Sequence, residues 1–319
     1  MRRLALAVVA ALVLLTPLAS AGSTQKVTLT LDWTPNPDHV GFYDARDSGL
    51  FARAGLEVTI HAPSDPTAPL KLVGVGSSDF AVSYEQELFF AAAKGLPVVA
   101  VAAVVPGPLN SFMSIEPEVK SLRDLRGRTI GITGVPSDYA TLKTAGLGGK
   151  VKVITVGYNL LPALLSHRVD AVLGVYRNVE GVQLQLRGLH PTIIPVDRAG
   201  VPTYDELVLV ANKTRLQNPV YRSQVTRFVG AFLAGTTDAR RHPARALAIL
   251  KKVTASDSKF LARATPATLR LLAGPKGVGC LSVAQWQRFG NWMQTHSLLK
   301  QRIAASSVVT TSFLPARCR

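Results

Sequence analysis

Two short segments carry the side chains best suited to holding a small planar molecule. In LDWTPNPDH, Trp33 directly follows an alternating apolar stretch, and Asn36 and His39 lie in the loop behind it. In GVYRNVEG, Tyr176, Asn178 and Glu180 follow a second apolar stretch. An indole and a phenol each offer a flat face for stacking, worth about 0.5–1.5 kcal/mol beyond the area they bury. An amide both donates and accepts, and a carboxylate accepts from amino groups. Together they match a ring with acceptor nitrogens and an exocyclic amine, as in an aminopyrimidine. The plainer readings are a core tryptophan with a polar turn behind it, and a capped turn with solvated charges.

Other candidates sit at equivalent places. Tyr84 follows DFAVS, and Asn110 and Ser111 follow the apolar run VVAVAAVV and its Pro/Gly loop. Pro136 and Ser137, in GVPSDYATLKT, open a helix whose free N–H groups could hold an anion or polar group; ordinary N-capping by Ser137 is the equal alternative. Tyr204 and Glu206, in VPTYDELVLVAN, lead into a further apolar strand.

The elements that must position these residues alternate. VTLTLD (27–32) reads as a strand, 38–54 as a helix stopped by Gly55, and 56–62 as a second strand. A short helix at 69–75, a buried strand at 80–83, a helix at 85–94 and an apolar strand at 98–105 follow. Continuous apolar strands between helices imply a parallel sheet covered on both faces. The rhythm restarts after Asn110, with strands at 128–132, 150–155, 170–175 and 193–197, short helices at 121–125 and 160–166, and a Gly/Pro loop at 134–138 leading into a helix through Leu142. From Pro219 onward the pattern is helical. The chain is therefore expected to be α/β, with one lobe formed by residues 22–111 and 205–319, a second lobe by 112–204, and a hinge of two crossings between them. Ligands of such folds sit at the carboxyl ends of the strands, where the candidate residues lie.

The first residues have the layout of a secretory signal peptide: Arg2 and Arg3, an apolar run from Leu4 to Leu15, and the small-x-small site Ala19-Ser20-Ala21. The run is too short for the ~20 residues that span a bilayer. Cleavage after Ala21 is expected, with no cysteine nearby for lipid attachment, so the mature protein is expected to diffuse freely in a periplasm. The net charge is +16, but the basic residues are dispersed, without a run of five like charges. A basic solvated surface is the expected reading, and nucleic-acid binding is not expected. The two cysteines, Cys280 and Cys318, suit a disulfide in an oxidising compartment, with two free thiols as the alternative. The six histidines are scattered and there is no Cys-x-x-Cys, so no metal site is expected. No Gly-x-Ser-x-Gly elbow and no phosphate-binding glycine loop is present.

The segments LDWTPNPDHVGFYDARDSGLFARAGLEVTI, DFAVSYEQELFFAAAKGLPVVAVAAVV, PLNSFMS, GVPSDYATLKT, LLPALLSHRVDAVLGVYRNVEG and VPTYDELVLVAN resemble the ThiY-like family of ABC-transporter substrate-binding proteins for thiamine-pyrimidine precursors. The likeness covers most of residues 26–212 and continues weakly through the helical tail. It implies a type II periplasmic-binding-protein fold, usually monomeric, whose two lobes close over a small molecule and deliver it to an ABC permease. It implies that Trp33, Tyr176 and Glu180 lie at the pyrimidine site, with Asn36, His39, Tyr84 and Asn178 as neighbours. Relatives in the wider family bind riboflavin, sulfonates or nitrate. Fungal relatives make the thiamine pyrimidine with a cysteine-rich iron motif and lysine-bound pyridoxal phosphate. No such cysteine cluster is found here, so neither a cofactor nor enzymatic activity is expected.

Overall fold

The computed structural model describes residues 24–63, 65, 68–157 and 159–318. The expected leader, residues 1–21, lies outside them. Two sheets organise the chain. The first is built from β1 (Gln25–Thr30), β2 (Leu56–His61), β3 (Phe80–Ser83), β4 (Val98–Pro106) and a late strand, β10 (Asp205–Asn212). The second holds β5 (Asn110–Ser114), β6 (Thr129–Ile132), β7 (Lys152–Thr155), β8 (Ala171–Tyr176) and β9 (Thr192–Pro195). Their strand orders are β2-β1-β3-β10-β4 and β7-β6-β8-β5-β9.

Neither sheet is wholly parallel, as the strand–helix rhythm had suggested. β10 runs antiparallel between β3 and β4, and β5 runs antiparallel to both β8 and β9. The reason is topological. β4 and β5 are joined through the short turn at Gly107 (φ +112°) and lie in different sheets, and β10 returns to the first sheet from the opposite direction. A local apolar run is equally compatible with either direction, because both faces of a central strand are covered. β4 and β10 are buried along almost their whole length.

The expected helix over 38–54 is broken into a 3-10 turn at Pro37–His39, α1 (Val40–Asp47) and α2 (Leu50–Arg53). Gly49 supplies the break by adopting φ +68°. Next come α3 (Ala68–Gly74), α4 (Glu85–Ala93), α5 (Pro136–Thr144), α6 (Leu160–Leu165) and α7 (Glu180–Leu186). The helical tail holds α8 (Pro219–Arg241), α9 (Pro243–Val253), α10 (Ser258–Leu269) and α11 (Val283–Thr295).

α8 starts cleanly because Pro219 needs no donor there and the Asn218 side chain accepts from Val220 and Tyr221 N–H. Its aromatic stripe locks α1 and α2 onto the first sheet. Phe232 stacks on Phe42 at 4.2 Å, and Phe228 stacks on Phe80 at 4.1 Å and on Phe51 at 4.8 Å. The two helices touch backbone to backbone, since a Cβ on Gly235 would stand 2.5 Å from the Gly41 carbonyl oxygen. The last residues cover the free edge of β4: Ala100 N–H donates to Val308 O and Thr310 N–H to Ala100 O. Cys280 and Cys318 are disulfide-bonded and pin this segment. Among the described residues, no helix is long and apolar enough to cross a membrane.

Candidate ligand-binding site at the strand ends

The loop after β1 is organised by its own polar side chains. Asn36 Oδ1 accepts from Asp38 N–H at 2.8 Å, and Asn36 N–H donates to His39 Nδ1 at 3.3 Å. That second bond needs a lone pair on Nδ1, so the ring proton sits on Nε2 and points at Asp32 Oδ1, 2.8 Å away. The other oxygen of Asp32 accepts from the Tyr84 hydroxyl at 2.9 Å, joining the ends of β1 and β3. His39 is fully buried and holds the loop in shape, whereas Trp33 next door is 45% exposed.

The two crossings between sheets meet at Glu206. Its Oε2 accepts from Leu109 N–H at 2.7 Å, Asn110 N–H at 3.0 Å and the Tyr204 hydroxyl at 3.2 Å. Its Oε1 accepts from the Tyr176 hydroxyl at 3.2 Å. One carboxylate on the returning strand thus fastens the outgoing strand and a tyrosine from the second sheet. Burial pushes its carboxyl above the usual range, and these four donors oppose the rise.

Asn178 reaches across from the second sheet. Its Nδ2 donates to Asp38 Oδ1 at 2.8 Å and to Thr268 Oγ1 at 3.0 Å, the latter on α10. Asn178 is 2% exposed, and its Oδ1 has no hydrogen-bond partner among the described residues. Burial lifts the Asp38 carboxyl to about 7; Asp32 and Glu206 add to the rise, while His39 and the Asn178 amide oppose it. The Tyr84 and Tyr176 hydroxyls are pushed well above their ordinary value, first by burial and then by neighbouring carboxylates.

The remaining sequence-selected residues take different places. Glu180, the first residue of α7, uses Oε2 to accept from Tyr176 N–H at 2.7 Å, so it shapes the turn that presents Tyr176. Ser111 is fully buried and donates to Leu109 O. Asn110 contributes its amide N–H to Glu206, and its Oδ1 is buried without a partner among the described residues. Pro136 and Ser137 lie in the first turn of α5, and Val135 is the N-cap, so Ser137 is not the capping residue. No side chain caps α5; Asp138, in its first turn, instead ties down the preceding loop, its Oδ2 accepting from the Thr133 hydroxyl and Gly134 N–H. Sequence reasoning passed over Asp32, Asp38 and Thr268. The first two lie inside the LDWTPNPDH segment and were open to notice as acids at a strand's end; Thr268 carries no local signal in a helical tail.

Residues 36–246 match the family model described as NMT1/THI5 like. The chain is 34% identical over 288 residues to a Haemophilus influenzae protein named for thiamine biosynthesis, covering 88% of this chain and 90% of that one. It is 33% identical over 300 residues to the formylaminopyrimidine-binding protein of Halalkalibacterium halodurans, covering 90% of each. More distant matches are named 4-amino-5-hydroxymethyl-2-methylpyrimidine phosphate synthases. Among solved structures, the periplasmic aliphatic sulphonate binding protein SsuA of Escherichia coli superposes with a TM-score of 0.69 at 16% identity, covering 88% of this chain and 96% of that one. That likeness carries the fold: two mixed sheets joined by two crossings, the type II periplasmic-binding-protein architecture. On the extent of these matches, the chain belongs to the NMT1/THI5-like family.

Proposed function

We propose that this protein is the substrate-binding component of an ABC importer, and that it captures a thiamine pyrimidine precursor of the formyl-aminopyrimidine kind by closing two lobes over it. The lobes are centred on the two sheets, divided as 22–111 with 205–319 and 112–204, except that β5 carries Asn110 and Ser111 into the second sheet. The observation that carries the reading is the set of aromatic and polar groups contributed by both sheets to one place. Tyr84, Asp32 and Asp38 come from the first sheet's strand ends, Tyr176 and Asn178 from the second, and Glu206 ties the crossings between them. The relative named for formylaminopyrimidine binding, a third identical across nearly the whole chain, supports the ligand class. Trp33, with Asn36 and His39 shaping its loop, is the stacking face on one side; Tyr176, positioned by Glu180, is its counterpart. The expected setting is periplasmic, after removal of the leader, with a membrane permease as partner and a monomeric mature form.

Isothermal titration with formyl-aminopyrimidine, hydroxymethylpyrimidine, thiamine and riboflavin tests the proposal. Micromolar or tighter binding of the first two is expected, with the ligand recovered unchanged. Absence of binding to all four would sink it, and conversion of the ligand would place the protein with the synthases instead.

A further inference from the structure

α11 is seated on the first sheet's unit. Trp286 Nε1–H donates to Asp205 Oδ2 at 2.7 Å, where β10 begins, and Gln285 Nε2 donates to Glu85 Oε2 at 3.3 Å, where α4 begins. The Trp286 ring lies 5.9 Å from that of Phe89 on α4, and a Cβ on Gly290 would stand 2.7 Å from Phe89. From the crossing, an aromatic ladder runs outward along the same helix. Tyr204, whose hydroxyl bonds Glu206, packs 4.7 Å from Phe289, Phe289 lies 5.4 Å from Trp292, and Trp292 lies 4.9 Å from His296. The ladder ends against the other unit, at Thr144, the last residue of α5. The Thr144 hydroxyl accepts from Trp292 Nε1–H at 2.9 Å across 148 positions of sequence. His296 Nδ1 stands 2.9 Å from Trp292 O, a pure acceptor, so that nitrogen carries the ring proton. Its Nε2 is then free to accept from the Thr144 hydroxyl, 3.0 Å away.

We propose that Thr144, Trp292 and His296 form a clasp that holds the two lobes closed and so positions the binding site without touching ligand. The inference rests on the lobes closing over a ligand, as proposed above, and adds residues that no local sequence feature marked. Two observations carry it. The clasp is present in the same arrangement in which Asn178 bonds Asp38 across the strand ends, so it is a contact of the closed form. It also stands at the far end of a lever. Trp292 and His296 lie about 4.5 and 10 Å beyond Phe289 along the helix axis, and Phe289 is the residue at the crossing. A rotation about the crossing moves the outer end most, and a hydrogen bond does not survive a displacement of more than about 0.5 Å beyond its usual length. A contact made only in the closed form adds its whole free energy to the closed population, and thereby to affinity.

The test measures lobe separation directly in the purified mature protein. Both native cysteines are paired, so spin labels go on Glu57→Cys in β2 and Lys152→Cys in β7, exposed positions on the two sheets. Pulsed electron resonance then gives the open and closed populations without ligand. Thr144→Val, which keeps the shape and removes the hydroxyl, and Trp292→Phe, which removes the indole N–H, should each raise the open-to-closed ratio about fivefold, the worth of one neutral hydrogen bond. Thr144→Ser should match the parent. Stopped-flow release of formyl-aminopyrimidine should quicken by the same factor in the first two variants, with association unchanged. Melting curves verify that each variant is folded, and Thr144→Val decides alone if Trp292→Phe is not. A Thr144→Val ratio equal to the parent's overturns the clasp, as does a Thr144→Ser protein as open as the valine variant. If the pyrimidine does not bind, the proposed ligand fails, and the lobe populations still uphold or overturn the clasp.

Discussion

The Asp38 carboxyl is lifted to about 7 by burial, against an ordinary value of 3.8. A carboxyl raised in this way contributes stability that is fully present below about pH 4 and is lost as pH rises through 7, because only the folded state holds the proton in that window. Asp32, His39, Glu206 and the Asn178 amide are the groups facing it, and Asparagine in its place would keep the acceptor for Asn178 without the charge. Asp38→Asn is therefore expected to stabilise the unliganded protein by on the order of 3 kcal/mol at pH 8 and by little at pH 4. Thermal melts across that range check it; a constant difference would mean that Asp38 does not titrate in the fold. Trp33 behaves in the opposite way. At 45% exposure it holds up little of the core, so Trp33→Ala should leave the melting temperature within a degree or two while weakening a stacked aromatic ligand about tenfold. Unchanged affinity in a titration would move the stacking face elsewhere.

Among the elements, one place where the two sheet-centred units hold each other is the turn before α7, whose Asn178 amide bonds Asp38 and, on α10, Thr268. Asn178→Ala leaves Asp38 buried without that donor. The expected result is ligand release about tenfold faster with the association rate little changed, since such contacts form after encounter. Stopped-flow fluorescence separates the two rates, and an effect confined to association would contradict a role in holding the closed form. The C-terminal segment is a second junction. It covers the β4 edge through Ala100, and the Cys280–Cys318 bond closes a loop with a sequence separation of 38. Removing the bond in a Cys280→Ser, Cys318→Ser pair should destabilise the fold by up to about 4 kcal/mol, read from denaturant curves.

At the scale of the whole molecule, the chain passes between the two mixed sheets at the turn at Gly107 and in the segment leading to β10, and the proposed closure is a rotation about that line with each core intact. Glu206 sits on that line and accepts from Leu109 and Asn110 N–H, so in the proposed closure it stays in place. Small-angle scattering is expected to show a smaller radius of gyration when ligand is added. An unchanged radius with tight binding would point to a preformed site that admits ligand without closure.

The amino-acid sequence by itself determined the elements and the edge at which chemistry occurs. Apolar runs placed β4, β8 and β10, glycines ended helices, and Trp33, Tyr84 and Tyr176 followed strands directly, because these are consequences of neighbours along the chain. It also marked Cys280 and Cys318 as a possible pair. Direction and pairing were decided only in three dimensions. β10 inserts antiparallel between β3 and β4, strands more than a hundred residues earlier, and nothing local records that choice. The same holds for the division of labour among the polar residues. Glu180 and Ser111 serve the backbone, Glu206 binds the hinge, and Asp38 meets Asn178 across 140 positions of sequence, because a hydrogen bond is satisfied by whatever the fold brings within about 3 Å.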